Sequence, residues 1–272
     1  MAIPRDEWLG KAQALAVGQT RRTYHNEENK QNLVISNDYD RWWCYCHRCH
    51  DGATVYKEHV LVGQAPVQQE RVMPWPADAA PLGADAQLTQ SIYRMLAPKG
   101  IDLSVMLPGV PLMQSKAQGR LLVGTSQGWL GRALGNAQPK WCTYSSKTGP
   151  AVFAMHPQDR ITPGCTVVLT EDFFSAAKLR WAGVPAVPVA CLGTRVHSKL
   201  LLQLLGCAQV LIAFDGDPAG AAGYVSTAKR LRGLGLTVHR VAIPEGLDPK
   251  DMHAAALKEA VCQSSSTIKH LT

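Results

Sequence analysis

From Leu103 through Gln158 the chain contains neither aspartate nor glutamate, while Lys116, Arg120, Arg132, Lys140 and Lys147 all fall inside that window. Apolar residues are interleaved throughout it, so the window is a one-sign surface on a folded region; a disordered basic tail would lack them. No apolar run approaches the roughly 20 residues that a membrane span requires, and the opening MAIPRDEWLG lacks a signal-peptide core. A membrane-embedded or secreted role is therefore not expected, and the chain reads as cytoplasmic. Internal repeats and low-complexity segments are also lacking, which sets aside solenoid and fibrous architectures.

What is present is a globular composition. With 272 residues, 46% of them hydrophobic, the chain can build one large domain or two moderate ones. Its net charge of +7 favours a polyanionic partner. Of the eight cysteines, Cys142, Cys165, Cys191, Cys207 and Cys262 stand isolated in sequence, most in apolar settings typical of buried thiols. The other three lie in WWCYCHRCH at 42–50, downstream of His25 and the strand-like LVIS at 33–36. Cys46 and Cys49 have the C-x-x-C spacing that lets two thiolates share one tetrahedral ion, and His25 is a third donor at ribbon-like distance. Residues 1–62 therefore read as a small metal-stapled module. The alternative is a metal-free module held by Trp42, Trp43 and Tyr45.

Residues 63–83 carry Pro66, Pro74, Pro76 and Pro81 and read as a linker. Leu88, Ile92, Met95 and Leu96 then recur at helical spacing before Pro98 and Gly100 stop the helix. The basic region occupies 84–163. From Gly164 strands and helices alternate: TVVLT, FFSAAKLRWAG, VPAVPVACLG, HSKLLLQLLG, VLIAF, GAAGYVSTAKRLRGLG and TVHRVAI. A β-α-β-α-β-α-β order implies a parallel sheet with right-handed crossovers, hence an α/β fold. The segment 256–272 reads as a C-terminal tail, frayed at Ser264–Ser266.

Carboxylates gather where these strands end. Asp215 and Asp217 follow VLIAF, and in extended chain both side chains would leave one face. Two like charges so close repel one another unless a cation lies between them. Glu171 follows TVVLT, and Asp248 and Asp251 follow the last strand in GLDPKD. The carboxyl ends of parallel strands are where α/β sheets bind ligands, and Mg²⁺ takes one or two carboxylates with phosphate oxygens. Each acid taken singly also suits a turn or helix cap.

A strand-end Glu, a D-x-D strand about 40 residues later and then D-P resemble the Toprim domains of primases, topoisomerases and certain nucleases. GRLLVGTSQGWLGRALGNAQPKW at 119–141, with its G-R and P-K-W, resembles the basic subdomain that precedes Toprim in bacterial and phage primases. The Cys/His module holds the place of their zinc-binding domain. The resemblance implies a zinc-ribbon-like DNA-binding module at 1–62, a basic primase subdomain at 84–163 and a Toprim catalytic domain at 164–255. A chain ending there would be a stand-alone phage-type primase without a fused helicase, working in the host cytoplasm if phage-encoded.

The function so implied is synthesis of short RNA primers on a single-stranded DNA template from ribonucleoside triphosphates, with a separate replicative helicase as a further partner and no membrane. Asp215 and Asp217 would hold one or two Mg²⁺ or Mn²⁺ ions, with Asp248 completing the site. Glu171 could ligate metal or act as base, and the sequence does not choose. Arg132 and Lys140 would contact phosphate or template, with weaker attraction from Lys116, Arg120 and Lys147; Trp141 would stack on a base or belong to the core. Two features depart from the family. Ser175 stands where many Toprim domains have a second carboxylate, four residues after the Glu. The Zn²⁺ set has Arg22 where a fourth ligand is expected, leaving Cys44 or His50, and less directly His47 or Glu28, to complete His25, Cys46 and Cys49. Other readings of the same fold are a Toprim nuclease and a non-catalytic DNA-binding or host-interference protein.

Overall fold

The computed structural model describes residues 3–25, 30–38, 40–57, 72–135, 137–144 and 151–266. The chain divides into two compact units, 1–70 and 71–272.

In the first unit, α1 (Arg5–Gln13) precedes four strands, β1 (Thr20–Thr23), β2 (Leu33–Asn37), β3 (Arg41–Cys46) and β4 (Gly52–Tyr56). They form an antiparallel sheet in chain order, a four-stranded meander. Alternation places Leu33 and Ile35 on the same buried face as their cross-strand partners Cys46 and Cys44. Trp8 and Ala12 of α1 cover that face.

The second unit begins with β5 (Val72–Met73) and β6 (Ala80–Pro81), followed by α2 (Ala86–Leu96) and α3 (Leu103–Met106). Next come β7 (Leu112–Ser115), β8 (Arg120–Thr125), β9 (Gly128–Ala133) and β10 (Trp141–Tyr144). The six strands form one sheet in the order β5-β10-β9-β8-β7-β6, antiparallel except for β5 beside β10. The expected linker over 63–83 thus contributes both edges of this sheet. Prolines 74, 76 and 81 suit an edge because a missing N–H there breaks no interior ladder; residues 63–71 lie outside the described residues. The helical spacing read from Leu88 to Leu96 is realised in α2: Asp85 caps it by accepting from the Leu88 N–H at 2.9 Å, and Gly100 closes the following turn with φ of 60°.

The remaining elements are β11 (Thr166–Thr170), α4 (Phe173–Trp181), β12 (Val187–Ala190), α5 (Ser198–Leu204), β13 (Gln209–Ile212), α6 (Pro218–Arg232), β14 (Val238–Arg240) and α7 (Ala254–Ser266). All neighbouring strands of the order β12-β11-β13-β14 are parallel. The continuous apolar runs reflect burial on both faces. Val167, Leu169, Val210 and Ile212 pack under α5 and α6, while Val168 and Leu211 pack under α4 and α7. From β11 the chain crosses to one side of the sheet and from β13 to the other, so the switch point lies between these two central strands. A crevice opens there at their carboxyl ends.

Helix α4 is apolar nearly all round because it is sandwiched. Leu179 faces the parallel sheet, whereas Phe173, Phe174, Ala176 and Ala177 share a core with Ile92, Leu96 and Met106 from α2 and α3 and with Leu121, Val123 and Leu130 of the six-stranded sheet. The basic region and the parallel-sheet region are therefore packed on one another within the second unit.

The C-terminal segment corrects the sequence reading. Residues 254–266 are helix, with Leu257 and Val261 buried against Val168 and Leu211. Ser264 and Ser265, expected to fray, turn their hydroxyls back to the Ala260 and Val261 carbonyls at 2.8 and 3.1 Å. Residues 267–272 lie outside the described residues. Among the described residues no helix is long and apolar enough to cross a membrane. Because Leu257 is fully buried, Leu257→Ala should cost about 2–5 kcal/mol in urea unfolding; a tail would tolerate the change with no shift in midpoint.

Candidate functional site

Three loops bring carboxylates to the crevice. Glu171 directly follows β11. Asp215 and Asp217 lie beyond the end of β13 at Ile212, so they sit in the loop and do not share a strand face as the extended-chain reading supposed. Gly216 and Gly220 shape this loop. A Cβ at Gly216 would strike the Pro244 carbonyl, and one at Gly220 would strike the Asp215 carbonyl and stand 3.0 Å from Glu171 Oε1. The small-residue turn after Asp215 is thus demanded by close backbone approach.

Each acid has a different environment. Glu171 Oε1 accepts from the Asp215 N–H at 3.1 Å. Burial, with the charges of Asp217, Asp172 and Asp248, still raises its pKa above the ordinary value. Asp217 caps α6 by accepting from the Gly220 N–H at 2.6 Å. Asp215 Oδ1 is buried with no hydrogen-bond partner among the described residues. Burial is the main cause that pushes the Asp215 carboxyl up to about 7; Lys250 opposes it, and Glu171, Asp248 and Asp172 reinforce it. Asp248 is shifted the other way: burial alone would raise it, but its pairing with Lys250 outweighs that and lowers it.

Two residues absent from the sequence reading complete the cluster. Asp172 caps α4 through the Ser175 N–H at 3.0 Å and binds Lys250 Nζ with its other oxygen at 2.8 Å. Lys250 also pairs with Asp248 and is only 6% exposed. The E-D doublet at 171–172 and the lysine inside D-P-K-D were the signals available. Ser175, in the position of the missing carboxylate, is fully buried with its Oγ unpartnered among the described residues.

A cleft adjoins this cluster. Lys99, Arg132, Lys140 and Lys250 line it with Asp172, and Trp141, Phe174, Met95 and Leu96 supply its apolar surface. Arg132 stacks over Trp141 at 5.5 Å, and Trp141 packs on Phe174 with ring centroids 5.1 Å apart. The preceding Gly131 is required because a Cβ would collide with the Tyr144 ring at 2.7 Å and Cys142 Sγ at 2.8 Å.

Of the basic residues singled out in sequence, Arg132 and Lys140 meet in this cleft and Lys116 and Arg120 do not line it. Arg120 is 2% exposed and donates to the carbonyls of Gly131 and Pro139 at 3.3 and 2.8 Å. It holds β8, β9 and the loop before β10 together, which corrects its reading as a phosphate-attracting surface charge. Lys116 is exposed and pairs with Asp85 at 3.1 Å. Lys147 lies outside the described residues.

In the first unit, sheet register places Thr23 beside Leu33 and Leu33 beside Cys46. The chain leaving β1 and the turn leaving β3 therefore meet at one end of the sheet. Ligand atoms of His25, Cys46 and Cys49 lie within 4.8 Å of one another. His25 turns Nδ1 toward Cys49 Sγ at 3.6 Å and Nε2 toward Glu7 Oε2 of α1 at 3.5 Å. A carboxylate on the other ring nitrogen is how metal-binding histidines are commonly oriented. Burial would raise Cys46, but the Cys49 and Arg48 N–H groups and His25 outweigh it and bring the thiol down to about 7. Two sulfurs and an imidazole are a donor set suited to zinc.

Neither proposed fourth ligand joins this cluster. Cys44 belongs to the core under α1, where burial pushes its thiol up to about 11. His50 Nδ1 lies 3.1 Å from the Tyr45 hydroxyl. His47 stacks edge-on against Tyr45 with centroids 5.2 Å apart, and Glu28 lies outside the described residues. Cys165 and Cys207, isolated in sequence, have their Sγ atoms 3.7 Å apart.

The raised Asp215 carboxyl fixes a pH dependence. Its contribution to stability is present below the ordinary carboxylate range and is lost as pH rises through about 7. Full linkage for such a shift is about 4 kcal/mol, reduced to roughly 1–2 kcal/mol by solvent contact. Metal-free Asp215→Asn should therefore melt several degrees above wild type at pH 8 and close to it at pH 5, as followed by circular dichroism.

A family model described as Toprim-like matches residues 170–253. The chain is 29% identical to the DNA primase of Geobacillus stearothermophilus over 133 residues, covering 47% of this chain and 22% of that protein. It is 36% identical to the DNA primase of Staphylococcus epidermidis over 86 residues, covering 31% of this chain and 14% of that one. With the DNA primase of Clostridium acetobutylicum the identity is 29% over 140 residues, 49% of this chain and 23% of the relative. The matches thus span less than a quarter of the length of these curated relatives. Among solved structures, the E. coli primase catalytic core is similar at 16% identity and a TM-score of 0.49, covering 68% of this chain and 77% of that one.

Proposed function

We propose that the chain is a DNA primase that joins ribonucleoside triphosphates on a single-stranded DNA template. The observation that carries this reading is the juxtaposition, within one compact unit, of an under-compensated carboxylate cluster and a cleft lined by Lys99, Arg132 and Lys140. The similarity to DNA primases supports it.

Glu171 and Asp215 fit a hard divalent cation, Mg²⁺ or Mn²⁺, because both carboxyls are held in a state that an added positive charge would relieve and Asp215 Oδ1 lacks a partner among the described residues. Asp217 and Asp248 flank them. Such an ion, when bound, neutralises triphosphate charge and lowers the pKa of an attacking 3′-hydroxyl. Arg132 binds phosphate oxygens through its planar guanidinium, which the Trp141 ring holds in place, and Lys140 adds a second, mobile positive charge. The Trp141 and Phe174 wall limits water access beside the charged groups. The basic cleft favours polymerisation over hydrolysis, since a nuclease acting with the same carboxylates needs no triphosphate site.

The test combines single-stranded DNA, Mg²⁺ or Mn²⁺ and labelled ribonucleoside triphosphates. Short oligoribonucleotides are expected from wild type, with Asp215→Asn lowering the yield at least a hundredfold and Arg132→Ala at least tenfold. Arg120→Ala should instead lower thermal stability, because it removes the two hydrogen bonds that tie β9 and the loop before β10 to the buried Arg120. DNA cleavage without oligonucleotides would replace this reading by a nuclease, and neither product would leave a binding protein.

In the first unit we propose zinc at His25, Cys46 and Cys49, with Glu7 holding His25. Elemental analysis should find one zinc per freshly purified chain, lost in Cys46→Ser. Chelation should remove amide-exchange protection from β1–β4 and leave β11 and β13 protected, because structural zinc contributes folding free energy.

A further inference from the structure

We propose that Lys250 is a built-in cation that takes the place of a second metal ion, so that the carboxylate cluster binds a single divalent cation, between Glu171 and Asp215. The inference deepens the proposed function and rests on that reading only for the identity of the anion the lysine faces.

The cluster divides into two halves. On one side the Lys250 ammonium is held between Asp172, at 2.8 Å, and Asp248, with 6% of the residue exposed. These carboxylates come from the loops after β11 and β14, so the lysine ties two strand ends together in the manner of a bridging ion. On the other side Lys250 still acts on Asp215 through space, but among the described residues neither Glu171 nor Asp215 is paired with a cation, and Asp215 Oδ1 is without a hydrogen-bond partner. Asp217 is turned to the N-terminus of α6. Two-metal sites place their ions about 4 Å apart between shared carboxylates. A second ion here would have to displace a lysine already paired twice, and removing one member of a buried pair leaves an uncompensated charge.

Position gives the lysine a task as well as an occupancy. Lys250 lines the same cleft as Lys99, Arg132 and Lys140. Its ammonium is fixed on the boundary between the carboxylates and the basic wall, where it can donate to an anion entering the cleft. For a triphosphate, one mobile ion and one tethered ammonium would then share the neutralisation.

The test counts Mn²⁺ bound to the zinc-loaded full chain by electron paramagnetic resonance of the free ion, with neither nucleotide nor DNA present. Wild type and Lys250→Arg should bind one Mn²⁺ per chain, and Lys250→Met should bind two, with a larger Mn²⁺-induced rise in melting temperature. Asp215→Asn should bind none, which keeps the proposal falsifiable if Lys250→Met fails to fold. Two ions in wild type, one remaining in Asp215→Asn, or an unchanged count in folded Lys250→Met would each overturn it, as would no binding at all. A chain that binds one Mn²⁺ with this pattern yet makes no oligoribonucleotide would refute the primase reading and leave the single-ion site standing.

Discussion

Mutual repulsion among Glu171, Asp172, Asp215, Asp217 and Asp248 is the constraint around which the second unit is organised. Parallel strands end together, so acids placed after them converge, and partial burial of Glu171, Asp172, Asp215 and Asp248 weakens the screening that water gives, while Asp217 stays exposed. The fold compensates by local means. Asp172 and Asp217 cap α4 and α6, where N–H groups and the helix dipole favour negative charge. Lys250 neutralises the Asp172–Asp248 side. Among the described residues Glu171 and Asp215 share one backbone N–H, and burial together with the neighbouring acids holds both carboxyls above the ordinary range despite Lys250 acting on Asp215. An added positive charge would relieve both carboxyls.

The cleft beside the acids depends on α4. This helix begins at the acid cluster, lies on the parallel sheet with Leu179 and enters the core of the antiparallel sheet with Phe173, Ala176 and Ala177. Phe174 also supports Trp141, which in turn supports Arg132. One helix therefore registers the basic wall against the carboxylates through close-packed contacts, and a cavity in that core would be felt at both sides of the cleft.

The parallel sheet was legible in sequence because VVL and VLI can remain continuous only where both faces are covered, and the helices between them had the length that crossovers need. The order of the acids along the chain was legible for the same reason. What could not be read was local geometry. Asp215 and Asp217 look like alternate strand positions, yet the strand stops at Ile212 and the glycines fold the loop onto neighbouring carbonyls. Lys250 carries no sequence signal of its own burial; the loops after β11 and β14 supply its partners Asp172 and Asp248. Arg120 belongs to an acid-free window that suggests surface, but it is buried and satisfied by two carbonyls, one on the neighbouring strand 11 residues away and one in the loop before β10, 19 residues away. Cys165 and Cys207 meet because β11 and β13 are adjacent, which no spacing of 42 residues announces.

The first unit meets a similar difficulty with different chemistry. Its core, centred on Trp8, Leu33, Ile35 and Cys44, is small, and small units depend on staples beyond apolar burial. Cys46 and Cys49 are drawn together by the turn after β3, and His25 by the register of β1. Thiolates that close repel as carboxylates do, and the donor atoms of His25, Cys46 and Cys49 lie within 4.8 Å of one another. The two clusters thus differ in their chemistry: His25, Cys46 and Cys49 gather soft donors at a sheet end, whereas the Asp172–Asp248 side of the carboxylates already holds the Lys250 ammonium. A tethered ammonium cannot be chelated away or exchanged, so the Asp172–Asp248 side of the carboxylate cluster is held together by the chain itself.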